Sequence, residues 1–355
     1  MPKTRILILL LLLSVTLFSC QRDDKTAAKG DFPILVKVAD KYAYIDRSGK
    51  RAFPQLFDHA AIFSEGLAAV RVGDKDGFID ATGKMAIAPT FDSASIFLDG
   101  LAAVKIGDRW GFIDKNGKIA ISTHFVGTFA FTDGLASVAA VAKEGVRIGY
   151  IDKTGKMVVP PLYDDGGFFF EGLAPVKQGG KFGYIDKGGR MVIAPVFDDA
   201  QPFRQGLAAV KVNGKYGNWG FIDKKGNPAI AEQFQNVTMF SDGIAAVKKQ
   251  DNAWHVIDRI GKEVIPRGFP TPPFFSEGLA AVKEGGKWGY MDKSGAIVIR
   301  PQYDAASIFI NGLAPVQVGD KCGYVDRSGE MVISPRFDWA PNILEQYVSY
   351  HFALR

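Results

Sequence analysis

A nine-residue motif, KWGYMDKSG at Lys287–Gly295, returns along the chain with small changes. It reads RWGFIDKNG at Arg109–Gly117, KFGYIDKGG at Lys181–Gly189 and KCGYVDRSG at Lys321–Gly329. Its Asp falls nine times, 34 to 38 residues apart, at Asp46, Asp80, Asp114, Asp152, Asp186, Asp223, Asp258, Asp292 and Asp326. Three residues later each copy carries Gly: Gly49, Gly83, Gly117, Gly155, Gly189, Gly226, Gly261, Gly295 and Gly329. Nothing else restricts the fold as much. A unit of this length cannot bury enough apolar surface to fold alone, so successive units must share a core.

A second mark, the Gly of Glu-Gly-Leu-Ala or Asp-Gly-Leu-Ala, recurs from Gly66 to Gly312, always 20 residues after an Asp. The length differences therefore lie in the segment between that Gly and the next Asp. Within one unit, G-L-A-A-V-K, K-W-G-Y-I-D, K-x-V-I-x-P-x-F-D and x-A-x-x-F are short runs rich in Val, Ile, Tyr and Phe and bounded by Gly, Asp and Pro. These read as β-strands. Asp-x-x-Gly reads as the turn of the central hairpin, with the carboxylate accepting backbone N–H bonds and Gly in the left-handed conformation. Eleven residues after each Asp stands an aromatic, from Phe57 to Phe337, and 17 after it stands Phe in eight copies, with Ile343 in the last. These rows predict a continuous core. Nine copies in one phase, from Ile34–Lys37 to Phe337-Asp338, favour an open β-solenoid or superhelix, with a propeller-like closed ring as the alternative.

The K-W-G-[FY]-I-D-x-x-G motif, its spacing and the E-G-L-A-x-V-K lead-in resemble the bacterial WG-repeat family over residues 34–345. Departures are local: Ala43 and His255 replace the motif Gly, Asp76 and Cys322 the aromatic, and Phe269-Pro270 the usual F-D. The resemblance implies an exported or surface all-β repeat protein, usually without assigned activity.

Lys3 and Arg5, the apolar run Ile6–Leu13 and then Leu17-Phe18-Ser19-Cys20 read as a secretory signal over residues 1–20. Its end resembles a bacterial lipobox, which implies lipidation of Cys20 and attachment to a membrane through that lipid. Residues 21–33, beginning Gln21-Arg22-Asp23-Asp24-Lys25, form a charged tether, and residues 346–355 a capping tail. The expected location is the cell envelope, as an outer-membrane lipoprotein, with surface display favoured over the periplasmic face. The formal charge of +5 falls to +3 without Lys3 and Arg5, which gives no case for nucleic acid. With Cys20 lipidated, Cys322 is left alone and reads as a buried apolar thiol.

The repeat also limits the chemistry. The Asp row could suggest Ca²⁺, yet the turn accounts for both Asp and Gly, and no second acidic residue recurs at loop spacing. His59, His124, His255 and His351 occupy unrelated positions, so no metal or other cofactor is expected. No G-x-S-x-G or nucleophile–base pattern appears, and no catalytic residue is assigned. What remains is the variable segment, enlarged at Ala139–Arg147 and Val212–Asn218, where Lys143, Glu144, Arg147, Asn213, Lys215 and Tyr216 are candidate contacts. The first functional expectation is a lipid-anchored, non-catalytic scaffold that binds a protein or glycan at the envelope, its oligomeric state open. The alternative is an envelope enzyme or accessory subunit with a site at the irregular copies near 134–152 and 206–223.

Overall fold

The computed structural model describes residues 32–143, 145–212 and 217–340. Cys20, the signal, nearly all of the tether, the capping tail, and Glu144, Asn213, Lys215 and Tyr216 lie outside the described residues. The chain divides into two compact units, one of Met1–Asp58 with Phe240–Arg355 and one of His59–Met239.

Among the described residues there are eight four-stranded antiparallel sheets and one two-stranded sheet. In one of the eight the strands are Asp165–Gly166, Leu173–Gln178, Lys181–Asp186 and Met191–Phe197, hydrogen-bonded in that order. The first belongs to the sequence copy turning at Asp152 and the other three to the copy turning at Asp186. Every four-stranded sheet thus straddles two copies.

Local chemistry explains the three turns. Glu171 and Gly172 both have positive φ (53° and 86°), and Phe170 and Leu173 exchange backbone hydrogen bonds across them. Positive φ at both central residues marks the type I′ hairpin, whose twist matches that of its strands. The second turn is Gly179-Gly180, again with two positive φ values (59° and 82°). In the third, Asp186 Oδ1 accepts from Gly188 N (3.0 Å) and Arg190 N (2.9 Å), while Gly189 N donates to Asp186 O (2.9 Å).

The glycine of Trp-Gly has a different cause. Between the third and fourth strands the register slips: Phe182 pairs with Phe197, but Tyr184 pairs with Ile193. The fourth strand therefore bulges over Gly183, and a Cβ there would sit 2.4 Å from Ile193 O. Only a residue without Cβ fits under that backbone. Where His255 takes the position, the fourth strand supplies Gly268 instead, and a Cβ on Gly268 would come within 3.5 Å of the His255 ring. The fourth strand is also a sheet edge, and Pro89, Pro161, Pro195, Pro301 and Pro335 remove donors from it.

In the unit His59–Met239, consecutive sheets pack through one repeated set of contacts. Leu135, Tyr150, Val159 and Tyr163 of one sheet meet Phe169, Ala174, Val176 and Ile185 at the next. The Tyr150 and Phe169 rings lie 4.9 Å apart at 74°, as edge-to-face packing requires. Polar contacts follow the same step. Glu171 accepts from Gly206 N (3.0 Å) and pairs with Lys224 (3.1 Å), and Asp99 likewise takes Gly134 N and Lys153. All nine aromatics of the row 11 residues after Asp are buried.

The unit of Met1–Asp58 with Phe240–Arg355 repeats these contacts and overturns one expectation. Leu279, Tyr290, Ile299 and Tyr303 pack against Phe309, Ala314, Val316 and Val325. The corresponding Leu313, Tyr324, Ile333 and Phe337 of the last copy pack against Val36, Ala43 and Ile45 of the first. Lys37 N donates to Trp339 O (2.9 Å) and Asp338 N to Lys37 O (3.0 Å). Trp339 thus lies beside the strand Ile34–Val38, which pairs with Lys41–Ile45, and bridges to Arg51 and Phe57 follow. An open solenoid or superhelix leaves its terminal copies apart, whereas here they join as neighbouring copies do. The fold is a closed β-propeller with eight four-stranded blades, and its last and first copies join at the two-stranded sheet Ile34–Val38 with Lys41–Ile45; the open-stack reading is corrected on this observation.

Candidate functional site

The Asp row is committed to its turns. Asp80 Oδ1 accepts from Thr82 N, Thr82 Oγ1 and Lys84 N, and Asp46, Asp152, Asp292 and Asp326 repeat the pattern with Ser or Thr. The hydroxyl two residues on holds these carboxyls below the usual range. The turn glycines carry a second constraint: a Cβ on Gly189 would meet Val159 Cγ2 of the preceding blade at 3.1 Å. Asp and Gly here serve the scaffold.

The enlarged segment at 139–147 is an extended hairpin. Its strands Leu135–Ala142 and Gly145–Asp152 have eight residues each, against six in Leu173–Gln178 and Lys181–Asp186. The extra rungs pair Val141 with Val146 and Ala142 with Gly145. Val141 is 71% exposed and Val146 47%, so a valine pair faces solvent near the tip. Lys143 is exposed at the tip, and Arg147 reaches back to Asp164 (3.7 Å). At the second enlargement, Val212 N donates to Asn218 O (3.3 Å) across the base.

Between these two irregular copies lie residues that sequence reading passed over. Asp165 and Asp199 open the first strands of consecutive blades, opposite Lys177 and Lys211. Burial pushes both carboxyls up, Asp199 to about 6. Arg204 is also sunk, its guanidinium 4.2 Å from the Phe170 ring centre, and burial lowers its pKa to about 10. A signal for the two Asp was present in the repeat: the position 13 residues after the turn Asp reads His59, Ser93, Gly127, Asp165, Asp199 and Asn236. That column varies in chemistry from copy to copy, and only these two copies place Asp in it.

His255 is a further polar group in the other unit. Its Nδ1 lies 2.8 Å from Glu263 Oε1 and its Nε2 3.0 Å from Asp251 Oδ2, with Lys249 on Glu263 at 2.6 Å. Both contacts are hydrogen bonds when both nitrogens carry protons. An imidazole held at both ends has no nitrogen left to take a proton from a nucleophile. Its place under the bulge, beside Gly268, makes it a polar plug for the missing glycine. Cys322, at the aromatic position, is half-buried and packs at the edge of the cluster joining the last and first copies.

Fold and site together define a β-propeller built from short tandem repeats, with its two enlarged segments falling within three consecutive blades. The family profile described as "WG containing repeat" matches nine times, at residues 42–75, 77–110, 110–145, 148–182, 182–216, 219–254, 256–288, 288–322 and 323–347. The chain belongs to this WG-repeat family. Among solved structures it is similar to a eukaryotic initiation factor, at 11% identity and a TM-score of 0.60, covering 88% of this chain and 96% of that one. Lower superpositions link it to the computationally designed Ika8 protein (15% identity, TM-score 0.47, 79% and 95% covered). BamB from Moraxella catarrhalis is comparable (13% identity, TM-score 0.43, 85% and 91% covered). At these identities the first likeness bears on fold alone. No curated protein sequence matches the chain.

Proposed function

We propose that this chain is a non-catalytic binding propeller of the cell envelope, carried on lipid at Cys20, that engages its partner through the hairpin Leu135–Asp152. The observation that carries this reading is the valine pair Val141–Val146, exposed on rungs that the regular blades lack. Two extra residues on each strand extend a hairpin by about 7 Å. Apolar side chains at such a tip cost solubility and gain only when a partner covers them. Their chemistry favours a protein surface over a glycan. The test joins Ala140 to Arg147 through Asn-Gly, a two-residue hairpin loop, and compares capture of envelope proteins by the full chain and the trimmed one. A partner held by the first and lost by the second supports the reading. Equal capture removes the hairpin from it. Release of a Cys20→Ser protein from the membrane fraction tests the anchor, and retention argues against lipid at that residue.

A second reading, an enzyme or accessory subunit with its site at the irregular copies near 134–152 and 206–223, draws on Asp199. A carboxyl raised to about 6 stands in the range where an acid–base group works at neutral pH. This reading requires that Asp199→Asn abolish turnover of a captured ligand while leaving capture intact. Loss of both together would assign Asp199 to binding instead.

A further inference from the structure

Asp165 and Asp199 are carboxylates without a close ion-pair partner: Lys177 and Lys211 act on them only through longer-range attraction. Each accepts a backbone hydrogen bond from the next residue, Gly166 N at 2.8 Å and Ala200 N at 2.9 Å. Among the described residues no cationic nitrogen stands within 4.0 Å of either. Lysines are present across the strand pair, yet Lys177 Nζ sits 5.3 Å over the Phe182 ring. A cation stacked on an aromatic is engaged there rather than with the carboxylate opposite.

A third acceptor lies two residues after Asp199. Gln201 is 3% exposed, and its Oε1 is buried with no hydrogen-bond donor. Gln201 N continues the ladder to Ala209 O (2.9 Å), so the strand stays extended through Asp199, Ala200 and Gln201. Alternate residues of an extended strand share a face, which puts the Gln201 and Asp199 side chains on one side. A buried acceptor left empty costs stability, and two unpaired carboxylates on adjacent blades cost more. Scaffold needs do not explain them, since Gly127 and Ser93 fill the Asp column in other blades and Gly167 and Ser95 the Gln column.

We propose that Asp165, Asp199 and Gln201 Oε1 form an acceptor site for a ligand bearing a primary ammonium or guanidinium group. Such a group offers three or more N–H donors and one positive charge, matching two carboxylates without an ion-pair partner and one amide oxygen without a donor. A divalent metal is a poorer match, because no third carboxylate, imidazole or thiol joins the pair among the described residues. The raised Asp199 agrees with this geometry: a bound cation favours the ionised form that burial disfavours. The site is separate from the Leu135–Asp152 hairpin and does not depend on that hairpin's role.

The cation could be free or a side chain of a peptide, so two probes are titrated calorimetrically into the full chain at pH 7.5: putrescine and a trilysine peptide. Binding of either supports the site, and the stronger of the two identifies its source. Asp199→Asn should weaken binding at least tenfold, and Asp198→Asn, whose side chain pairs with Lys181 instead, should not. Acidification to pH 5, below the Asp199 value of about 6, should weaken binding in the parent but not further in the Asn variant. Asp165→Asn provides the same comparison should the Asp199 variant fold poorly. Absence of binding by both probes at millimolar concentration overturns the proposal, as does unchanged binding by both Asn variants. Calcium that binds the parent and loses affinity in Asp199→Asn would overturn it in favour of a metal.

Discussion

Gly183→Ala tests why the family motif needs its glycine. Gly183 does not have positive φ, so the change brings no left-handed strain. Its whole effect is steric: the new methyl would lie 2.4 Å from Ile193 O, 2.8 Å from Ala194 C and 2.8 Å from Pro195 N. All three are backbone atoms and cannot rotate away. The bulge must retreat by roughly 1 Å, an overpacking that costs about 1–3 kcal/mol. Retreat also loosens the rungs Tyr184–Ile193 and Phe182–Phe197, adding about 1 kcal/mol for each hydrogen bond weakened. The expected loss is about 2–4 kcal/mol, a fall of roughly 4–15 °C in melting midpoint for a unit this size.

The comparison is Gly172→Ala, in the same blade. Gly172 has φ of 86° and open space around its Cβ position, so only backbone strain of about 1–2 kcal/mol applies. Circular-dichroism melts of the two variants, with urea titrations alongside, separate the causes. Gly183→Ala should melt lower than Gly172→Ala. A midpoint within 1 °C of the parent for Gly183→Ala, or a smaller loss than its control, would refute the bulge as the reason for the motif.

Other outcomes follow from single contacts. Asp199→Asn should raise the melt at pH 7.5, because burial raises the folded-state pKa to about 6 and so destabilises the ionised form. The gain is on the order of 1–3 kcal/mol above pH 6 and should shrink as pH falls from 6 through the ordinary carboxyl value, vanishing only below it, where the parent carboxyl is protonated in both states; a gain unchanged across that range argues against burial as the cause. Gly189→Val places a β-branched side chain at φ of 81° and against Val159 at 3.1 Å, for a loss of about 2–4 kcal/mol in urea unfolding; a neutral result would contradict the turn geometry. Melts with calcium and with chelator should superimpose, since Asp Oδ1 in the turns is already bonded to backbone N–H. Ending the chain at Phe337 removes both backbone bonds to Lys37 and the Asp338 partner of Lys321, and should lower the melt by several degrees. A truncated chain that melts with the parent would mean that closure adds nothing to stability.

Strands, turns and aromatic rows were legible because each depends on residues close in sequence. Glu-Gly and Gly-Gly set hairpin twist, Asp-x-x-Gly closes the central turn, and Phe57 to Phe337 fall on buried sides by spacing alone. Closure was not legible, and the cause is a boundary. Copies aligned from L-A-A-V-K end in x-A-x-x-F, which looks like the last strand of a unit. In the structure that piece, Asp165–Gly166 or Asp199–Ala200, is the first strand of the following sheet. Nine copies in phase are therefore already offset by one strand. The last copy ends with a surplus first strand at Trp339, and the first copy begins without one. Phase in the sequence concealed the overlap that seals the propeller.

The same offset bears on where function can reside. Most polar residues of the repeat answer to the scaffold: the turn Asp holds backbone N–H groups, Glu171 and Asp99 step from blade to blade, and His255 plugs a bulge. A candidate binding residue should show the opposite character, with a varying column and polar atoms the fold leaves unsatisfied. Gln201 carries a buried acceptor with no donor, Asp165 and Asp199 stand in a varying column without an ion-pair partner, and the exposed Val141–Val146 pair is their apolar counterpart. All of them sit in three consecutive blades, on first strands or on a hairpin between strands, where substitution leaves the shared aromatic core untouched. A propeller of near-identical blades can change such positions in one blade at little cost to the rest. The sum of small stability penalties at these positions is what a partner's contacts would have to offset.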